Sequence, residues 1–252
     1  MTSPLSFLFR ISAVLALLLT SVRADVPPGI LTLARAYLGS EAALSGVNGL
    51  RMVGTLEVSQ TGAASAPPAE LEIVFQKPFR QRIKATTQSQ VEVTSLDGYD
   101  AWQQVTDNSA SSRWQVTLLG PDQIKRLRAN TFENLAFYRG IESQAGRIED
   151  RGTVTVDGIP CRQIAFIHAP DIVFVRNFEL ATGRLVMTQT DSGTQIREEG
   201  KIKVSGLLFP QTMTTTAQMA DGAVRTIRVT FSSIEVNPVI PASTFAIPTL
   251  NP

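Results

Sequence analysis

From Leu50 to Val236 the chain alternates apolar and polar residues with a period of two, and this constrains the fold more than any other feature. LRMVGTLEVSQ, ELEIVFQ, RQRIKATT, QVEVTSL, AWQQVTD and SRWQVTLL are short and rich in Val, Ile, Thr and aromatics. RGTVTV, CRQIAFIH, DIVFVRNFEL, GRLVMTQT, QIREEGKIKVSG, LLFPQTMTTTAQM and AVRTIRVTFSSIEV continue the series. Successive strand side chains point to opposite faces, so each run has one face for a core and one for solvent. The links carry turn residues: Asp97-Gly98, Asp157-Gly158, Ala181-Thr182-Gly183, Asp191-Ser192-Gly193 and Asp221-Gly222. Parallel neighbours would need crossovers of a dozen residues or more, so short links predict sequential antiparallel pairing. The expected fold is mainly β, one curled meander of about 11 strands.

Two segments break this period. After Pro27-Pro28, the residues Ile30, Leu33, Ala34, Tyr37, Leu38, Ala42 and Leu44 recur near the helical spacing through Ser45. GPDQIKRLRANTFENLAFYRG has a Pro-Asp helix start, an apolar face of Ile124, Leu127, Phe132, Leu135 and Ala136, and a stop at Gly140. A wide curled sheet exposes an apolar face, and two amphipathic helices can cover it. The expected architecture is therefore a curled, barrel-like antiparallel sheet with a helical lid around an apolar cavity, the kind of space that holds a ligand.

The first residues read as an export signal rather than as part of the fold. Arg10 precedes the apolar run ISAVLALLLT, and Val22-Arg23-Ala24 fits a signal-peptidase site, so cleavage is expected after Ala24. That leaves residues 25–252 as a single exported domain. Asp25, not a cysteine, follows the site, so lipidation there is not expected, and the lone Cys161 rules out an internal disulfide. The chain has 23 basic and 22 acidic residues, and Arg10 and Arg23 belong to the leader. Such a balance gives no global attraction to nucleic acid.

Catalytic chemistry finds little support. Cys161 and His168 are seven apart on one expected strand, on opposite faces and roughly 23 Å apart, which excludes a direct dyad; a structural thiol and a surface or strand-end histidine are expected. One Cys and one His cannot build a metal cluster, so no metal or cofactor is expected. Glu149-Asp150 and Glu198-Glu199 are adjacent in sequence and read as solvated edges. Ile124, Leu127, Phe132, Leu135 and Phe137 read either as plain core or as the underside of a lid. Ile73, Phe75, Val91, Val93, Trp102 and Trp114 on the early strands are expected to face the same interior, and Phe245 to plug the base of the barrel.

Several motifs, in order, make the chain resemble the periplasmic carriers that sort lipoproteins to the bacterial outer membrane, the LolA/LolB-like superfamily. They are Lys77-Pro78 followed by Arg82, then Val91-Glu92-Val93 and LDGYDAW, later FELATGRLVMTQ, GLLFPQTMT and IRVTFSSIEVNPVIPASTFAIP. The resemblance implies a helix-capped half-open barrel that binds a lipid or lipoprotein acyl chain without catalysis, and membrane-bound donors or acceptors as partners. It also implies an alternative, an envelope sensor domain that docks on a membrane protein. In FQKPFRQRIK, Pro78 makes a turn, and Arg80, Arg82 and Lys84 then share one strand face with Gln81 and Ile83 on the other. The matching position makes Arg82 the candidate for holding the lid; a solvated outer face is the other reading.

Overall fold

A computed structural model describes residues 28–63, 66–108 and 113–248. The expected leader, residues 1–24, lies outside them. The first helical pattern resolves into two helices, α1 (Pro28–Leu38) and α2 (Glu41–Ser45). The break falls at Gly39, where an added Cβ would lie 2.8 Å from the carbonyl oxygen of Gly206. Close backbone approach therefore ends α1, and Ser40 restarts the helix by accepting from the Ala43 amide at 3.2 Å.

Six strands follow: β1 (Gly49–Gln60), β2 (Ala69–Gln76), β3 (Arg80–Thr86), β4 (Gln90–Asp97), β5 (Asp100–Asp107) and β6 (Arg113–Leu118). Helix α3 (Pro121–Ala136) and a 3-10 turn (Ile141–Gln144) separate them from the second series. That series comprises β7 (Arg147–Val156), β8 (Ile159–Ala169), β9 (Ile172–Glu179), β10 (Leu185–Thr190), β11 (Gln195–Glu199), β12 (Ile202–Val204), β13 (Leu207–Phe209), β14 (Thr212–Gln218) and β15 (Val224–Val236).

The main sheet has 13 strands rather than about 11, in the order β6-β5-β4-β3-β2-β1-β15-β14-β11-β10-β9-β8-β7. It is two meanders rather than one, joined where β1 pairs antiparallel with β15. Hairpin β12–β13 leaves the sheet, and β11 pairs directly with β14. The hairpin's Ile202, Val204, Leu207 and Phe209 pack with Leu44, Leu50 and Phe75, which explains why this apolar sequence folds inward instead of extending the sheet.

One helix measures the curl. Helix α3 reaches β3 through Gln81 and reaches β8 and β9 through His168 and Arg176. Strands β3 and β9 are seven places apart, ~34 Å on a flat sheet at ~4.8 Å per strand. A helix is only ~10–12 Å across. The sheet must therefore wrap around α3, while its outermost strands β6 and β7 do not pair with each other, so the barrel is not closed.

Candidate functional site

Strand register divides the side chains into an inner set facing the helices and an outer set. Phe75, Gln81, Leu96 and Ala101 form one row across β2 to β5, and Val74, Arg82, Ser95 and Trp102 form the neighbouring row. Gln81 accepts from Asn130 Nδ2 at 2.9 Å and from Thr131 Oγ1 at 3.2 Å on α3, so its row faces inward. Ile73 shares this face, and it packs with Phe75 among Leu50, Met52 and Leu135. By the same register Val91, Val93, Trp102 and Trp114 face outward. The expectation that they look into the interior is corrected. Alternation gives two sets but does not say which one the helices cover.

The outer row has its own cover, the segment after β15. Phe245 is fully buried there, and its carbonyl accepts from Ser95 Oγ at 3.2 Å and from Trp102 Nε1 at 3.0 Å. Phe245 therefore seals the outside of β4 and β5 instead of plugging the barrel. Arg82 also lies outside, donating to Glu72 at 3.1 Å. Its contacts do not include α3. Gln81 ties the helix to β3, and Arg128 ties it to the turns: its guanidinium sits 3.8 Å from the Phe79 ring centroid and 4.1 Å from that of Tyr99, and it donates to the Gly98 carbonyl. A cation between two rings gains from both aromatic faces.

A groove of about 460 Å³ opens where α2, α3 and the Lys77-Pro78 turn meet. Leu44, Phe79, Phe132 and Leu135 supply apolar wall, and Lys77, Arg35 and Arg139 bring positive charge. Burial lowers the Lys77 pKa. Phe132 and Phe79 also border a neighbouring cavity of about 190 Å³ that ends at His168 and Ile172. Of the expected lid residues, Phe132 and Leu135 reach the groove, whereas Ile124 and Leu127 sit half-buried nearer the start of α3.

Deeper in the barrel lies a charged cluster. Glu133, on the same face of α3 as Ala129 and buried with it, accepts from Arg176 Nη1 through Oε2 and meets His168 Nε2 through Oε1 at 2.6 Å. The guanidinium of Arg176 lies 4.8 Å from the Phe166 ring centroid and 5.1 Å from that of Tyr138. Phe137 and Tyr138 take positive φ, 48° and 67°, which ends α3 and turns Tyr138 toward this cluster. Arg35 of α1 closes the same helix end by donating to the carbonyls of Ala136 and Phe137.

Burial pushes the Glu133 carboxyl up, but Arg176 and His168 outweigh it and hold it below the usual glutamate range. Burial opposes the charge on Arg176, and Glu133 restores it. Burial raises the Tyr138 pKa, with Glu198 acting in the same direction. Arg176 Nε is buried and has no partner among the described residues, an omission that costs about 1–3 kcal/mol.

Arg176, Glu133 and Glu198 border an inner cavity of about 100 Å³ walled by Leu50, Met52, Phe209 and Met213. Leu38, Leu185, Glu198, Leu208 and Phe209 also line a wider cavity of about 420 Å³ that reaches Tyr37 and Lys201. Glu198 is thus not a plain solvated edge: it is half-buried and lines both cavities, and burial raises its pKa, with Arg176 opposing. Glu199 beside it is exposed. Of the other pair, Asp150 is held by Arg162 at 2.6 Å.

His168, expected at the surface or at a strand end, is the penultimate residue of β8 and is buried, with 8% of its side chain exposed. Cys161 is wholly buried with Val156 and Val186 on the outer side of the sheet, and burial raises its thiol pKa. A sequence signal for the cluster existed in VFVRNFEL: Arg176 sits at the same parity as Phe174 and Phe178, a charge inside an apolar row. Among the described residues no three His, Cys, Asp or Glu side chains gather as a metal cage, and no helix is long and apolar enough to cross a membrane.

No family profile matches the chain, and no curated protein matches its sequence. Solved structures do match in shape. A LolA superfamily protein from Nitrosomonas europaea superposes with a TM-score of 0.58 at 12% identity, covering 89% of this chain and 99% of its own. A DUF1329 family protein from Desulfovibrio piger gives 0.53 at 11% identity, covering 86% of this chain and 95% of its own. A domain from Vibrio parahaemolyticus named for outer membrane lipoprotein sorting gives 0.53 at 9%, covering 85% and 95%. The chain has the fold of this superfamily.

Proposed function

We propose that the chain is a periplasmic, non-enzymatic carrier, formed by residues 25–252 after cleavage at Ala24, that holds an acyl chain of a lipid or lipoprotein between the sheet and its helices. The observation that carries this reading is the groove of about 460 Å³ walled by Leu44, Phe79, Phe132 and Leu135. Transfer of an acyl chain from water into such a space gains roughly 0.8 kcal/mol per methylene. Lys77 and Arg139 at its border attract an anionic headgroup left outside. Ile73 and Phe75 form the floor beneath α3. Loosening of the Arg128 stack on Phe79 and Tyr99 would let α3 lift to admit cargo and release it to a membrane-bound acceptor.

The fold shared with a lipoprotein-sorting domain and a LolA superfamily protein supports this reading. The buried thiol of Cys161, whose pKa burial raises, and the opposite faces of β8 on which Cys161 and His168 lie argue against a hydrolase built on this pair. Native mass spectrometry of protein purified from the periplasm should find bound lipid, and Phe132→Asp should abolish it. A reproducibly empty protein would sink the carrier reading. A second reading, a sensor domain docking on a membrane protein, rests on the edge strand β6, which is exposed almost throughout and carries Trp114 and Leu118 in solvent. Capture of a membrane protein by the empty barrel would favour it.

A further inference from the structure

The cavity of about 190 Å³ beside the groove, between α3 and the turn from β8 to β9, stands apart from the deeper cavities in its charge. Its charged lining is Lys125 and Arg128, its other polar lining is Gln144 and His168, and no carboxylate among the described residues borders it. Glu133 and Glu198 lie on the inner cavity instead.

Lys125 already pairs with Asp122 at 3.2 Å, whereas Arg128 has no carboxylate partner among the described residues. A guanidinium carries five N–H donors, and Arg128 uses one, through Nη1, on the Gly98 carbonyl at 2.8 Å. The rings of Phe79 and Tyr99 take its faces. Stacking fixes the plane of the group and leaves open the edge that carries the donors. In contrast to Arg176 Nε, no Arg128 nitrogen is both buried and without a partner, so the edge can be reached from the cavity. A planar fork of N–H donors held in this way matches two oxygens of one phosphate.

We propose that this cavity binds the phosphate of an acidic phospholipid, gripped by the edge of Arg128 while the acyl chain lies in the adjoining groove. Phe79, Phe132 and Gln144 line both spaces, so chain and phosphate can belong to one molecule. This rests on the carrier reading and names its cargo class. The groove accepts a chain without regard to its head, whereas Arg128 favours a chain that carries a phosphate.

Calorimetric titration with lauroyl lysophosphatidylglycerol and monolauroylglycerol, both below their micellar concentrations, and with inorganic phosphate tests it. The phospholipid should bind at least about tenfold more tightly than the monoglyceride of the same chain, as a charge-assisted pair of hydrogen bonds produces. Arg128→Gln, checked for folding by circular dichroism, should cut that ratio to about threefold or less, and Arg128→Lys, which keeps the charge but not the fork, should fall between the two. Lys77→Gln should lower the ratio less than Arg128→Gln does. Inorganic phosphate should weaken binding of the phospholipid and not of the monoglyceride. A ratio near one in the intact protein, or a ratio that Arg128→Gln leaves unchanged, would overturn this inference and leave the carrier reading standing. Inorganic phosphate binding as tightly as the phospholipid would show that the chain adds nothing and would overturn the lipid assignment of the cavity. Binding of neither lipid, with none seen by native mass spectrometry, would overturn both readings.

Discussion

The two faces of strands β2 to β5 are built from similar residues and put to different uses. Outside, Val74, Val93 and Trp102 are buried, and Phe245 of the segment after β15, itself fully buried, takes two side-chain hydrogen bonds through its carbonyl, from Ser95 and Trp102. Inside, Leu96, Gln81 and Phe75 are equally buried, but their cover is a helix held by a few polar contacts, with cavities at its margins. The outer face is closed by chain that continues directly from the sheet. The inner face is closed by α3, inserted between the two edge strands. Aromatic content therefore does not mark the binding side; the presence of a separable cover does.

The contrast can be broken most severely at Arg176. Arg176→Met strands Glu133 in the interior, and unfolding in urea should show a loss of about 3–5 kcal/mol. Adding Glu133→Met should recover most of it, and a single-variant loss under ~1 kcal/mol would show that the cluster does not hold α3. On the outer face, Phe245→Ala should cost about 3 kcal/mol in thermal denaturation through cavity formation. Lipid retained by the folded fraction should stay unchanged, and its loss would show that the two faces are coupled.

Acid separates the two interior carboxyls. The folded-state pKa of Glu133 is depressed, so its stabilising contribution is present above the unfolded glutamate value of ~4.3 and disappears as pH falls through the lower folded value. That of Glu198 is raised, so its contribution is present below the unfolded value and lost as pH rises through the folded one. Glu198→Gln should therefore gain more stability relative to the parent at pH 8 than at pH 4, and a constant difference would contradict the buried setting. The smallest effect is expected at Arg82, whose partner Glu72 is part-exposed and also bonded to Arg51. Arg82→Leu should change stability by under ~1 kcal/mol and leave cargo release as it was.

Much of the fold was legible. The period of two located the strands, Asp157-Gly158 and its counterparts located the hairpins, and Pro121 marked the start of α3, which ends at Ala136 with left-handed Phe137 rather than at Gly140. Gly39 was not readable as a break, because its reason is the approach of Gly206, 167 positions away in sequence. The site was less legible. Phe132 and Leu135 are legible from their helical spacing, but alternation alone does not say that Val91, Val93, Trp102 and Trp114 face outward, and no local pattern brings Glu133, Arg176 and Glu198 together.

What the sequence determined by itself is local: which residues alternate, where the chain turns, which faces are apolar. Those follow from side-chain direction and backbone preference over a few residues. Tertiary structure alone decided which face lies inside, that β1 closes on β15, and that a glutamate from α3 meets a histidine from β8 and an arginine from β9. These depend on how far the sheet curls, and curl is a sum over 13 strands that no single stretch of sequence carries.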